Sequence, residues 1–116
     1  MRYLVIPLLF ALVATSVAAH AQERSKPQQQ PKTPAVSIKN MQFTPATLTI
    51  KVGQTVTWTN DDDRDHTVVS ADGGKTFKSD NLSRKETFKH KFDKKGKYPY
   101  ACAYHPRMKG TIVVED

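Results

Sequence analysis

The stretch Thr47-Leu48-Thr49-Ile50-Lys51-Val52-Gly53-Gln54-Thr55-Val56-Thr57-Trp58-Thr59 alternates apolar and polar residues with a period of two and breaks once, at Gly53-Gln54. Leu48, Ile50 and Val52 share one face and Thr47, Thr49 and Lys51 the other; beyond the turn, Val56 and Trp58 alternate with Thr55, Thr57 and Thr59. Successive side chains of a strand point to opposite sides, so this pattern predicts two half-buried strands with Val52 and Trp58 facing the core. Threonine suits the outer face, where a β-branched side chain fits the pleat.

The same period continues on both sides. It runs from Ala35 onward, and further short strands are expected at residues 67–70, 86–92, 97–102 and 111–115. Asp61-Asp62-Asp63, Asp72-Gly73-Gly74 and Lys95-Gly96 supply the turns between them. No segment keeps a helical period over three turns. Many short strands in roughly 80 residues imply an all-β antiparallel sandwich or barrel. Pro45 and Pro99, which lack an N–H, are expected at strand ends, bulges or edges.

The N-terminus has a different character. Arg2 precedes an almost unbroken apolar run over residues 4–17, and Ala19-His20-Ala21 has the small-x-small form of a cleavage site. Residues 1–21 therefore read as a signal peptide, with an uncleaved anchor as the rival. The run is short for a span, which needs about 20 apolar residues. No twin arginine and no cysteine accompany it, which removes support for a Tat signal or a lipidated terminus. Residues 22–34, rich in Gln, Pro and Lys, cannot bury enough surface to offset their ordering entropy and read as a disordered linker. One domain remains, residues 35–116.

The formal charge of the whole chain is +7, and from residue 35 onward 14 Lys and Arg against 10 Asp and Glu leave +4. The lysines at 89, 91, 94, 95 and 97 are scattered along strands and turns and accompany no nucleic-acid motif, which argues against nucleic-acid binding. The acidic run Asp61, Asp62, Asp63 and Asp65 lacks the spacing and glycine of a calcium loop, so it reads as a solvated turn. By strand parity His90, between Phe88 and Phe92, faces inward as a partly buried, mostly neutral histidine.

The chemistry is concentrated in Cys102-Ala103-Tyr104-His105-Pro106-Arg107-Met108, just before a turn expected at Gly110 and a short apolar strand. A lone cysteine in an exported chain has no disulfide partner, and a free thiol there is a liability unless it is buried or holds a metal. A thiolate, an imidazole and a thioether in one loop are the donors of a mononuclear copper site, in which His₂Cys lies in a plane with a weak axial Met. His66, opening an earlier strand, supplies the second imidazole. The candidate metal ligands are thus His66, Cys102, His105 and Met108, holding one copper ion. A structural zinc site would carry paired cysteines. Nothing resembles a nucleophile–base pair, and four ligands leave no open position for a substrate, so no enzyme is expected.

Cys-x-x-His-x-x-Met, together with Phe43-Thr44-Pro45, Val56-Thr57-Trp58-Thr59-Asn60, His66-Thr67-Val68, Gly96-Lys97-Tyr98-Pro99-Tyr100-Ala101-Cys102 and Gly110-Thr111-Ile112-Val113-Val114, resembles the blue copper proteins of the plastocyanin/azurin (cupredoxin) family. In the length of the ligand loop it is most similar to amicyanins. The resemblance implies a Greek-key sandwich of about eight strands and a type 1 copper site. It also implies a one-electron carrier between larger redox proteins such as a cytochrome c, a dehydrogenase or a reductase; the signal peptide makes the expected location periplasmic, and a monomer is expected. His105 would then be the ligand whose ring edge reaches the surface, with Tyr104, Pro106 and Met41 around it. A copper-handling protein that carries or donates the ion without redox cycling is the alternative. Many relatives link Asn after the first His to Ser or Thr after the Cys; Thr67 and Ala103 stand there here, and Ala103 has no side chain for such a link.

Overall fold

The computed structural model describes Tyr3 and residues 33–116. The expected signal peptide (1–21), apart from Tyr3, and all but the last two residues of the expected linker (22–34) lie outside the described residues. The sequence period is realised as eight strands: β1 (Ala35–Lys39), β2 (Gln42–Thr44), β3 (Thr47–Lys51), β4 (Thr55–Asn60), β5 (Val69–Ser70), β6 (Thr87–Lys91), β7 (Gly96–Ala101) and β8 (Lys109–Glu115). They form two four-stranded sheets, ordered β2-β1-β4-β6 and β3-β8-β7-β5. Among the described residues there is no helix. The fold is the expected all-β sandwich of eight strands.

The two sheets bury their inward residues against each other. Val36, Ile38, Phe43, Val56 and Trp58 from one sheet meet Ile50, Tyr100, Ile112 and Val114 from the other. Trp58 is fully buried, with its ring 5.5 Å from both Phe88 and Tyr100 and 5.6 Å from Phe77. Full burial of a side chain this large contributes more than the 1.5–3 kcal/mol or so of an aliphatic one. Cys102 and Met108 belong to the same buried cluster, so the ligand loop closes one end of the core.

Four expectations need correction. The sandwich is not wholly antiparallel: β1 runs parallel to β4 and β3 parallel to β8. These pairs join strands far apart in sequence, which side-chain alternation within a strand cannot reveal. Val52 is 41% exposed in the turn after β3 instead of facing the core, because the strand ends at Lys51 and Gly53 turns with φ of +92°. Gly110 is no turn residue but lies inside β8, paired with Tyr100. A Cβ there would sit 2.4 Å from the Tyr100 ring, so glycine is required by that close approach. Finally, His66 does not open a strand; β5 begins only at Val69.

The prolines fall where a missing donor is harmless. Pro45 follows β2, after a cis Thr44–Pro45 bond. Pro99 lies within β7, but its carbonyl accepts from Ala71 N–H, just past the end of the two-residue β5. N–H and C=O of one strand residue point the same way, so the missing donor faces the region where β5 has ended.

Candidate metal centre

His66 is fixed by its backbone. Its N–H donates to Leu82 O at 3.1 Å and its C=O accepts from Leu82 N–H at 2.8 Å, an isolated bridge that holds it at the edge of the core. Two residues on, Val68 N–H donates to Ser79 Oγ and Val68 O accepts from Ser79 N–H, extending the same clamp. Asn60, at the end of β4, is fully buried and spans the acidic turn: its amide donates to Arg64 O and Leu82 O, and its carbonyl accepts from Asp62 N–H.

The loop between β7 and β8 is closed by its own backbone. Cys102 N–H donates to Met108 O at 3.1 Å, His105 N–H to Cys102 O at 3.3 Å and Met108 N–H to His105 O at 2.8 Å. Each bond satisfies a peptide group that would otherwise be stranded near the core. Cys102 and Met108 are buried, His105 is half-buried, and Tyr104, Pro106 and Arg107 are exposed.

The donor atoms converge. Cys102 Sγ lies 3.8 Å from His66 Nδ1 and 3.7 Å from His105 Nδ1, and the three donor atoms all lie within 4.8 Å of one another. Met108, 5% exposed, is carried on the same loop. The four residues predicted as ligands are disposed as in a type 1 copper site.

Electrostatics prepare the donors. His66 Nε2 is 2.9 Å from Asp62 Oδ2; with Nε2–H donating to that carboxylate, Nδ1 is left as a lone pair facing the thiol. The Asp62 carboxyl is held below the usual carboxylate range, first by His66 and then by the Met41 and Asp63 N–H groups, against the opposing effect of burial. Burial alone would push the Cys102 thiol up, but the Thr67 N–H, His66, the Tyr104 N–H and His105 outweigh it and bring the thiol down to about 6. The thiolate is therefore the ready form at neutral pH. Two imidazole nitrogens and a thiolate, with a thioether on the same loop, fit a copper ion by softness and number.

The acidic turn does more than the expected solvation. Asp62 was legible only as one acidic residue of four, yet its carboxylate faces Nε2 of His66, a placement that favours the tautomer with Nδ1 unprotonated; an Asp four residues before a histidine was the available signal. Asp61 accepts from Ser37 and Lys85, Asp63 pairs with Arg84, and Asp65 accepts from Asn81. The link between the two ligand segments also survives in another form, because Thr67 Oγ1 accepts the backbone N–H of Ala103 at 2.8 Å.

The family model described as a cupredoxin-like domain matches residues 5–114. The chain belongs to the cupredoxin family. Amicyanin-alpha of Methylorubrum extorquens is 34% identical over 119 residues, covering 99% of this chain and 100% of the relative. Among solved structures, a purple cupredoxin from Nitrosopumilus maritimus matches with a TM-score of 0.67 and 34% identity, over 71% of this chain and 99% of its own. An oxidised amicyanin variant matches with a TM-score of 0.68 and 30% identity, over 76% of this cupredoxin and 87% of its own chain.

Proposed function

We propose that this cupredoxin is an exported one-electron carrier that holds a single copper ion through His66, Cys102, His105 and Met108. The observation that carries this reading is the convergence of two Nδ1 atoms on one buried thiol, with the far nitrogen of His66 already engaged by Asp62. The family membership and the amicyanin relatives support it. The apolar run at residues 4–17 and the cleavage-like Ala19-His20-Ala21 support export to the periplasm.

Copper in such a site supplies a metal-centred one-electron couple. The chain's own residues hold the geometry: Leu82 clamps His66, the loop bonds fix Cys102, His105 and Met108, and the core behind them excludes water. A site that moves little between the two oxidation states loses little rate to reorganisation. His105, half-buried beside exposed Tyr104 and Pro106, is the surface exit for the electron. The partners on this reading are a redox-protein donor and acceptor, a cytochrome c, dehydrogenase or reductase. His₂Cys ligation in a preformed pocket favours electron transfer over copper delivery, and no substrate position or catalytic pair is needed for it.

The visible spectrum of the protein with one equivalent of Cu(II), beside a Cys102→Ser variant, tests the reading. An intense thiolate-to-copper band that bleaches on reduction and is absent in the variant is expected. Colourless, histidine-like binding in both proteins would sink it and favour the copper-handling alternative.

A further inference from the structure

Thr67 occupies the position at which the sequence departs from the common pattern, and the structure gives its side chain two partners at once. Its hydroxyl oxygen accepts the Ala103 N–H at 2.8 Å and lies 3.8 Å from Cys102 Sγ. Its own backbone N–H donates to the same sulfur at 3.4 Å. The residue is only 6% exposed, so water does not replace either bond. A hydroxyl carries a single proton. With Ala103 N–H taking up a lone pair of Oγ1, that proton is free to be donated to the sulfur. Accepting one bond polarises the hydroxyl and strengthens the bond it donates.

We infer that the Thr67 hydroxyl is a positioning and tuning residue: it ties the His66 segment to the ligand loop through Ala103 and donates a second hydrogen bond, besides that of its own N–H, to the Cys102 thiolate. The inference rests on the copper reading above. A thiolate bound to Cu(I) keeps more of its negative charge than one bound to Cu(II), so a donor aimed at the sulfur favours the reduced form. Loss of a single charge-assisted bond of this kind corresponds to about a tenfold change in an equilibrium constant.

Reduction potential and visible spectrum of Thr67→Val and Thr67→Ser, each loaded with copper, are the test. Valine keeps the shape and removes the hydroxyl; serine restores it. The expected result is that T67V favours Cu(II) over Cu(I) by about tenfold more than the parent, a fall of about 59 mV for one electron, with a shifted thiolate-to-copper band. T67S stays near the parent value. A T67V protein that is less heat-stable but unchanged in potential and band would overturn the inference and leave only a structural role. So would T67V and T67S shifting alike. If T67V does not fold, the parent Cu(I) protein decides by proton NMR: a Thr67 hydroxyl proton protected from exchange and close to the Cys102 β-protons supports the inference, and an unprotected one overturns it. If the parent protein shows no intense thiolate band, the copper reading fails first, and that outcome is recognisable without any variant.

Discussion

Replacing Asp62 with alanine removes one carboxylate and frees three donors at once, one of them the exposed Asp63 N–H on Oδ1. Asp62 Oδ2 accepts from His66 Nε2 at 2.9 Å and from Met41 N–H at 3.1 Å. His66 is fully buried, so its Nε2–H would be left with no partner where water has little access. A hydrogen bond to a charged acceptor contributes about 1.5–3 kcal/mol, and an orphaned buried donor costs about 1–3 kcal/mol. The Asp62 side chain is 17% exposed, so water entering the vacated space offsets part of this and places the loss near the lower bound, about 1.5 kcal/mol. The alanine variant would also let the proton of His66 settle on Nδ1, the nitrogen needed by the metal. Both effects act on the same equilibrium. The Cu(II) dissociation constant of Asp62→Ala should rise about tenfold, inside the ten- to hundredfold range typical when the partner of a ligating histidine is removed. Competition against a chelator of known affinity at fixed pH measures it. Asp62→Asn, which keeps an acceptor and loses the charge, should fall between the two. Affinities of all three proteins within twofold of one another would refute the claim that this carboxylate sets the histidine.

Two further outcomes follow from the fold. Gly110→Ala places a Cβ 2.4 Å from the Tyr100 ring, which Phe43 (4.6 Å between centroids) and Trp58 hold from the other sides; overpacking of this kind costs about 1–3 kcal/mol. Its Tm should fall by at least about 4 °C in a thermal melt, and an unchanged Tm would show that the ring yields freely. His90 packs against Phe77 and Phe92, and burial lowers its pKa, opposed by Asp93. The unfolded chain then binds a proton more readily than the folded one, so this group's penalty is absent above its unfolded value and grows as pH falls through the folded one. His90→Phe should flatten the loss of stability between about pH 7 and pH 5, measured by denaturant melts; a slope equal to the parent's would place the pH dependence elsewhere.

The fold was legible where one strand's alternation suffices, as along β3 and β4. It was not legible where pairing joins distant segments: nothing in Ala35–Lys39 announces a parallel partner at Thr55–Asn60. The β1–β2 hairpin escaped because its turn, Asn40-Met41, reaches positive φ (54° and 60°) without a glycine. Val52 followed the alternation but not the fold, since the turn at Gly53 ends the strand before it. At the metal centre the donor residues were readable because thiolate, imidazole and thioether are scarce and clustered. Asp62 was not, because four acidic residues in a loop differ only in where the backbone aims them. For Ala103 the sequence excluded a side-chain link correctly, while its peptide N–H, which every residue but proline carries, makes the link with Thr67 instead.

The outer strands of the two sheets have a bearing on behaviour at high concentration. β2 and β5 are three and two residues long, and β3 and β6 are five each. Among the described residues β6 pairs on one side only, with β4, and its exposed positions are Thr87, Lys89 and Lys91. A second copy approaching this margin to extend the sheet would bring ammonium groups of both chains together as the ladder formed. Like charges set side by side on neighbouring strands oppose pairing. Lys89 and Lys91 thus oppose extension of the sheet by a second copy at this margin.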